Sequence, residues 1–321
     1  MNGSMSRPMG RRALVILLTF TVLALVPPIA GALGEPYYVK LFARVMLFAI
    51  AALSLDLILG YGGLVSFGHA AFLGVGGYAV GILAAHGIDD AATRWLTALA
   101  ASAAIAGAVG AISLLTRGVY FIMITLAFAQ MLYYLAISLA AYGGDDGLRI
   151  DQRGTLPGVD LAADTQLYYV ILVVLAASLW LCGRMVEARF GRVLTGGRSN
   201  ERRMAAIGFR VYRHRLAAFV IAGALCGLAG ALTATLDRFV SPAVMHWSRS
   251  GEIMVMVILG GMGTLVGPIL GAAGLWLGEE VLKSYTEHWP LVLGPLLVLL
   301  VLFARRGLYG LVAGRPKEPP A

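Results

Sequence analysis

Long uninterrupted runs of apolar residues, separated by short polar connections, dominate the chain. A transmembrane helix needs roughly 20 apolar residues to cross about 30 Å of hydrocarbon, and many runs reach that length. None shows the alternating segments of a membrane β-barrel. The pattern predicts an all-α, polytopic transmembrane helical bundle of about 8–10 spans. The predicted spans lie near residues 12–33, 39–60, 64–86, 95–115, 118–141, 167–187 and 214–236, with further apolar stretches at 251–282 and 289–304.

Composition agrees with the membrane class. Hydrophobic residues make up 59% of the chain and charged residues 13%, whereas soluble domains average about 25% charged residues. The net charge of +8 fits basic cytoplasmic loops better than nucleic-acid binding, for which no motif appears. Cys182 and Cys226 lie in apolar runs without metal-ligand spacing, so we expect no metal site and two buried, apolar cysteines.

Loop charges predict the orientation. Residues 184–215 carry nine arginines against Glu187 and Glu201, so this loop should be cytoplasmic. Residues 142–166 carry five aspartates against Arg149 and Arg153, so this loop should be external. Arginines precede the first apolar run as in a signal peptide, but no cleavage site stands out, and we expect a retained first span. Both termini are then cytoplasmic.

The number of membrane crossings requires an interruption in the stretch 251–282. A cytoplasmic C-terminus needs an odd number of crossings after residue 250, so this stretch must cross twice or re-enter. Its centre, residues 260–268, is rich in glycine and contains Pro268, which lacks a backbone N–H. Interrupted backbone is tolerated at membrane depth only where protein or a water-filled cavity covers it. The segment is therefore a candidate for the solute pathway, although a kinked, tightly packed helix is an equal alternative.

A second interruption is expected near residues 60–69, where glycines cluster again. Asp56 precedes it and His69 ends it, and ionisable groups in a span usually face a cavity or a partner. Close packing of small residues would explain the same glycines. Asp56 could equally lie at the cytoplasmic interface, and His69 could be a neutral core residue.

No pattern for catalysis appears in the sequence. A Walker phosphate loop, an HExxH motif, paired metal-binding cysteines and a serine-nucleophile elbow are all lacking, and the five histidines are scattered. If the protein moves solute uphill, the energy should come from an ion gradient or from a partner. Residues 199–207 predict a short helix in the arginine-rich loop, capped by Ser199 or Asn200 and ended by Gly208. Such a helix suits docking, although an ordinary basic loop remains an alternative.

Four segments resemble permeases of ABC importers of the branched-chain amino acid type, specifically the LivM-type subunit. They are RSNERRMAAIG at 198–208, LSLDLILGYGGLVSFGHAAF at 53–72, GGDDG at 143–147 and LGGMGTLVGPILGA at 259–272. They occur in the family order over about residues 40–305. The family often has Asn at the position of Asp56, and Asp145 is a departure that adds negative charge to the GGDDG motif.

The resemblance implies a transport subunit, not an enzyme, in a bacterial inner membrane. In that family, solute moves by alternating access, and two separate ATP-binding-cassette subunits bind ATP and Mg, so this chain would need no cofactor. Further partners would be a second homologous permease of LivH type and an extracytoplasmic solute-binding protein. Urea or short-chain amides are alternative substrates, and an ion-coupled transporter or a channel is an alternative class.

The chain divides into one domain and two tails. The loop charges and apolar runs predict a cytoplasmic tail at 1–12, one permease domain at 13–306 with an external loop at 142–166, and a cytoplasmic tail at 307–321, and the resemblance makes the loop at 188–213 a cytoplasmic coupling loop. The ATPase-coupling residues would be Arg198, Asn200, Glu201, Arg202, Arg203, Ala205 and Gly208. The pathway or gate candidates are Asp56, Gly62, Gly63, Ser66, His69, Gly261 and Gly263. The external-mouth motif is Gly143, Gly144, Asp146 and Gly147.

Overall fold

The computed structural model describes residues 9–288, 291–292, 294–295 and 307–313. Within these residues the chain is a helical bundle, and six of its helices are long and apolar enough to cross a membrane. The predicted all-α, polytopic bundle is confirmed. The predicted last span at 289–304 lies almost wholly outside the described residues, as do most of the two predicted tails.

The elements follow the apolar runs closely. The first helices are α1 (Met9–Leu33), α2 (Tyr37–Asp56), α3 (His69–Ala85), α4 (Ala91–Ser113), α5 (Val119–Ser138) and α6 (Asp164–Glu187). The later helices are α7 (Arg189–Ser199), α8 (Glu201–Ala206), α9 (Val211–Asp237), α10 (Trp247–Gly260), α11 (Gly267–Tyr285) and α12 (Gly307–Ala313). Two short strands, β1 (Leu148–Arg149) and β2 (Phe239–Val240), pair antiparallel.

Helix α2 is the central helix of the bundle. In the span Tyr37–Tyr61, 89% of the most apolar stretch is buried, compared with 22% for the span of α1. It packs against α6, α9, α10 and α11. Its last turn, Leu57–Tyr61, widens into a π-helix, a distortion that is frequent at functional sites.

Small residues bring α3, α4 and α9 into backbone contact. A Cβ atom at Gly76 would lie 1.8 Å from the carbonyl oxygen of Gly227, and one at Gly230 would lie 1.8 Å from that of Leu73. A Cβ atom at Gly227 would in turn lie 1.9 Å from the Ser102 hydroxyl on α4. Close helix packing therefore explains why position 76 is a glycine, and these three helices form one closely packed unit.

Both predicted interruptions are present, at residues 62–68 and 261–266. The first begins where Gly63, at a φ of +69°, donates to the Leu59 carbonyl and Leu64 donates to the Ile58 carbonyl. These bonds end the helix as a glycine C-cap does. The helix predicted at 64–86 was therefore wrong at its start, because residues 64–68 are not helical and α3 begins at His69.

Residues 251–282 form a helical hairpin with legs of unequal length. The first leg, α10, has 14 residues and the second, α11, has 19. Near the start of α10, the Ser250 hydroxyl accepts a hydrogen bond of 2.9 Å from the Ala70 backbone N–H, so this leg begins deep in the bundle, beside the start of α3. The far end of α11 returns to the start of α2, where the Tyr37 hydroxyl donates to Glu280 at 2.5 Å.

The arginine-rich loop contains two helices, which corrects the prediction of one helix at 199–207. Ser199 ends α7 and does not cap, whereas the Asn200 side chain caps α8 by accepting from the Arg203 N–H at 2.9 Å. The sequence signal for α7 is the spacing of Phe190, Val193, Leu194 and Gly197, the last three of which are buried.

The two ends of the bundle differ in charge. The basic end carries α7 and α8, and the acidic end carries residues 139–163. At the acidic end, hydrogen bonds from the side chain and backbone of Thr93 hold the pKa of the Asp90 carboxyl below its ordinary value.

Gly307, in the predicted tail 307–321, starts a helix packed against Gly260 and Gly261.

Gly76→Ala should destabilise the bundle by about 1–3 kcal/mol, because the added methyl group meets rigid backbone. The measurement is the thermal unfolding midpoint of the purified protein in detergent. Gly107→Ala is the matched control, since its Cβ atom would lie 3.8 Å from Val220, an ordinary contact. An equal midpoint for the two variants would contradict the close approach of α3 and α9.

Candidate functional site

A buried carboxylate joins the two interruptions. Asp56, on the last turn of α2, has no exposed surface, and its Oδ1 accepts a hydrogen bond of 2.7 Å from the Gly263 backbone N–H. Gly263 lies 207 positions later, in the loop of the α10–α11 hairpin. A backbone N–H released by an interruption needs a partner in a membrane, and Asp56 supplies it.

Arg198 reaches the same place from the basic end. Its guanidinium Nη1 donates to the carbonyl oxygen of Gly60, which the π-helical turn exposes. Its aliphatic part covers Gly63, where a Cβ atom would lie 2.8 Å from the Arg198 Cγ. We call the cluster of Asp56, Gly60, Gly63, Arg198 and Gly263 the junction. The Arg198 side chain thus contacts the first interruption, and its role in coupling to an ATPase stays a prediction.

The closest approach between the two interruptions is at Gly60. A Cβ atom there would lie 2.1 Å from the Asp56 Oδ1 and 2.5 Å from the Gly263 nitrogen. Any side chain at this position would therefore separate the two interruptions. Gly261 and Gly263 have φ values of +111° and +73°, which favour glycine.

The hairpin loop has two supports that sequence reasoning missed. The Thr264 hydroxyl donates to the Gly261 carbonyl at 2.7 Å and accepts from the Gly267 N–H at 3.1 Å, which ties the two helix ends together. Leu265 adopts a φ of +51°, which is uncommon for a residue other than glycine. The threonine hydroxyl beside the glycine run was the available sequence signal.

His69 is the first residue of α3, and Ser66 lies three residues before it, in the first interruption. Both are fully buried. His69 Nε2 lies 2.8 Å from the Ser54 hydroxyl, and the Ser66 hydroxyl accepts from the Gly68 N–H at 3.3 Å. A Cβ atom at Gly62 would lie 2.6 Å from the Ile58 carbonyl oxygen. His69 therefore fits the prediction of a hydrogen-bonded core residue.

Glu201 fixes the position of α8. Its carboxylate pairs with Arg117 at 3.1 Å, between α4 and α5, and with Arg215 at 2.9 Å on α9. Arg215 also donates to the Gly197 carbonyl at 3.1 Å. Glu201 was predicted for the coupling loop, and its ion pairs show that it holds that loop against the bundle.

Within the described residues, no such ion pair holds the outer face of α8 to the bundle. Predicted coupling residues on it are exposed: Arg202, Arg203, Ala205 and Gly208. Gly208 has a φ of +90° and ends the helix as predicted. Next to it, Ile207 is 62% exposed and Phe209 is 41% exposed, so an apolar patch accompanies the arginines.

The glycine motif at the acidic end is a tight turn, far from the junction. Gly143 and Gly147 have φ values of +90° and +84°. Their Cβ atoms would lie 2.0 Å from the Gly147 carbonyl oxygen and 2.5 Å from that of Val240 on β2. Gly144 also has positive φ, and Asp146 is exposed. The predicted site residues therefore form separate groups at the two ends.

Two buried arginines that sequence reasoning missed organise the acidic end. Arg94 pairs with Asp89 at 2.8 Å and donates to the Gln152 carbonyl at 2.9 Å. Arg153 pairs with Asp164 at 2.5 Å and donates to the Leu236 carbonyl at 3.2 Å. They tie the loop 142–166 to α4, α6 and α9. An arginine three residues into an apolar helix, as Arg94 is, was the signal.

The fold and the junction define a multi-span membrane protein in which two breaks in helical structure meet inside the bundle, as in many membrane transporters. The chain belongs to the family of the branched-chain amino acid transport system, permease component, whose model matches residues 37–304. The predicted family is confirmed.

Two relatives are the high-affinity branched-chain amino acid transport system permease proteins LivM of Salmonella typhimurium and Escherichia coli K12. Each is 28% identical over an alignment of 319 positions that includes 92% of this chain and 74% of the relative. These relatives are transport proteins and not enzymes. The chain is accordingly a multi-pass permease subunit.

Asp56→Ala should destabilise the protein by about 1–3 kcal/mol, because it leaves the partly buried Gly263 N–H without its acceptor. Asp56→Asn keeps an oxygen at the same place and should remain near the parent protein. The thermal unfolding midpoint in detergent and solute uptake by the assembled transporter measure the difference. If the Asp56→Ala and Asp56→Asn variants had the same unfolding midpoint, the hydrogen bond to Gly263 would not stabilise the junction.

Proposed function

We propose that this chain is one of two permease subunits of an ABC importer that takes branched-chain amino acids across a bacterial inner membrane. Two separate ATPase subunits bind ATP and Mg on the cytoplasmic side, at the basic end. A solute-binding protein delivers the amino acid at the acidic end, which faces outward. The family membership and the names of both relatives support the substrate class.

The contact of Arg198 with Gly60 carries the mechanistic part of the proposal. The outer face of α8 presents arginines with Ile207 and Phe209 to a partner. Its inner side is joined to α9 through Glu201 and, by way of α7, to the junction through Arg198. Displacement of α8 by an ATPase subunit would therefore move the end of α2 and the loop of the α10–α11 hairpin. The pathway would then open in turn to the two sides of the membrane.

The charge distribution supports the orientation. Arginines accumulate at the basic end and aspartates at the acidic end, and cytoplasmic loops of membrane proteins carry the excess of Lys and Arg. Both termini are then cytoplasmic, as the position of Gly307 beside Gly261 supports for the C-terminal side.

The transport proposal is tested with the whole complex in proteoliposomes. Uptake of labelled leucine should require ATP, the ATPase subunits and the binding protein, because this chain supplies only the pathway. Unlabelled isoleucine and valine should compete, whereas urea and acetamide in large excess should not. Uptake without ATPase subunits would favour an ion-coupled transporter or a channel, and competition by urea would favour the urea and amide branch.

Arg198→Ala should lower leucine uptake by about tenfold, as expected for the loss of one partly buried charged hydrogen bond, while ATP hydrolysis persists. The ratio of leucine moved to ATP hydrolysed measures the coupling. Arg192→Ala is the matched control, since Arg192 is an exposed arginine of the same helix. An unchanged ratio in Arg198→Ala would contradict a role of the junction in coupling.

A further inference from the structure

A cavity of about 190 Å³ lies inside the bundle, toward the acidic end. Its wall combines three charged side chains, Arg44, Asp237 and Arg249, with apolar side chains that include Phe48, Ile253 and Trp276. The lining comes from α2, α3, α9, α10 and α11 together with the turn Pro242–Met245. The cavity therefore lies where the central helix meets both interrupted segments.

The charged side of the cavity is arranged as ion pairs. The Arg44 Nη2 lies 2.8 Å from the Asp237 Oδ1, and the Arg249 Nη1 lies 2.7 Å from the Glu252 Oε2. The Arg44, Asp237 and Arg249 side chains remain 46%, 30% and 44% exposed, so a solute from water can reach them. Ionisable groups in membrane-spanning segments are costly and usually mark a solute path.

The rest of the cavity wall is mostly apolar and well packed. The rings of Phe48 and Trp276 lie 5.0 Å apart at 40°, and Ile253 has no exposed surface. A branched aliphatic side chain placed against these groups would lose its contact with water. Arg44 and Phe48 on α2, like Arg249 and Ile253 on α10, are four residues apart, so charges of both signs lie about one helical turn from the apolar part of the wall.

The size of the cavity fits a small molecule. An apolar cavity of about 150 Å³ is known to hold benzene, which has six heavy atoms. A cavity of about 190 Å³ therefore suits a molecule slightly larger than benzene. Near Ala70, one of its lining residues, the hydrogen bond from the Ala70 N–H to Ser250 holds the start of α3 against α10.

We infer that this cavity binds the transported solute, a zwitterionic α-amino acid with a branched aliphatic side chain. Arg249 binds the α-carboxylate, Asp237 binds the α-ammonium group, and Phe48 and Trp276 contact the side chain. Arg44 is the present partner of Asp237 and shares that carboxylate with the ligand. This inference rests on the proposed transport function and adds the residues that select the substrate.

The mixed charges distinguish this ligand from the alternatives. A zwitterion brings one positive and one negative group, so it gives both Arg249 and Asp237 an opposite charge. Urea and short amides are neutral, so they would form no ion pair with Arg249 or Asp237. A simple anion would place its charge near Asp237, and a simple cation would place its charge near both arginines.

The test measures binding of labelled leucine to the purified complex without the binding protein, displaced by leucine, leucinamide or N-acetylleucine. Leucinamide lacks the carboxylate and N-acetylleucine lacks the ammonium group, so each should bind about tenfold more weakly or worse than leucine. In Arg249→Gln the preference for leucine over leucinamide should fall toward equality. In Asp237→Asn the preference over N-acetylleucine should fall instead.

Lys283→Gln is the control variant, because it removes a charge from an ion pair on α11 outside the cavity and should keep both preferences. Loss of both preferences together in either variant, unchanged preferences, or no leucine binding by a complex that transports leucine would overturn the assignment. Uptake driven by ATP, measured with the binding protein on the same preparations, separates the two proposals. Absence of branched-chain amino acid uptake in the parent complex would reject the transport function itself.

Discussion

The hydrogen bond from the Gly263 N–H to Asp56 is the contact on which the interrupted part of the bundle depends. Each interruption releases backbone N–H and C=O groups that lipid cannot satisfy. In this chain the two interruptions lie together, so that a side chain from one satisfies a backbone group of the other. Gly60 permits the approach, and Arg198 covers the carbonyl that the π-helical turn exposes.

The close approach of α3, α4 and α9 provides the fixed frame around that contact. Gly76, Gly227 and Gly230 remove the side chains that would otherwise keep these helices apart, so their backbones touch. Such contacts provide little freedom for one helix to slide past another, because packed backbone does not yield as a flexible side chain does. The α10–α11 hairpin and the loop helices are joined mainly through hydrogen bonds and ion pairs, which can exchange partners.

The sequence predicted the class, most of the described spans and both interruptions, because apolar run length and glycine clusters are local signals. It could not predict that Arg198 turns inward, since that contact joins positions 138 residues apart. The same holds for Asp56 and Gly263, for Glu201 and Arg117, and for Arg153 and Asp164. Helix α7 was missed for a different reason: its arginines obscured a short apolar face that the spacing of Val193, Leu194 and Gly197 does contain.

The cavity and the junction both involve α2 and the α10–α11 hairpin, so the proposed coupling has a physical route. Arg44 and Gly60 are 16 residues apart along α2 and its π-helical turn, or about 24 Å at the helical rise. Arg249 and Gly261 are 12 residues apart along α10, or about 18 Å. A rigid helix that tilts at its junction end must also displace its other end. Movement of Gly60 relative to Gly261 therefore changes the separation of Arg44 and Arg249, and with it the fit of the cavity to a zwitterion.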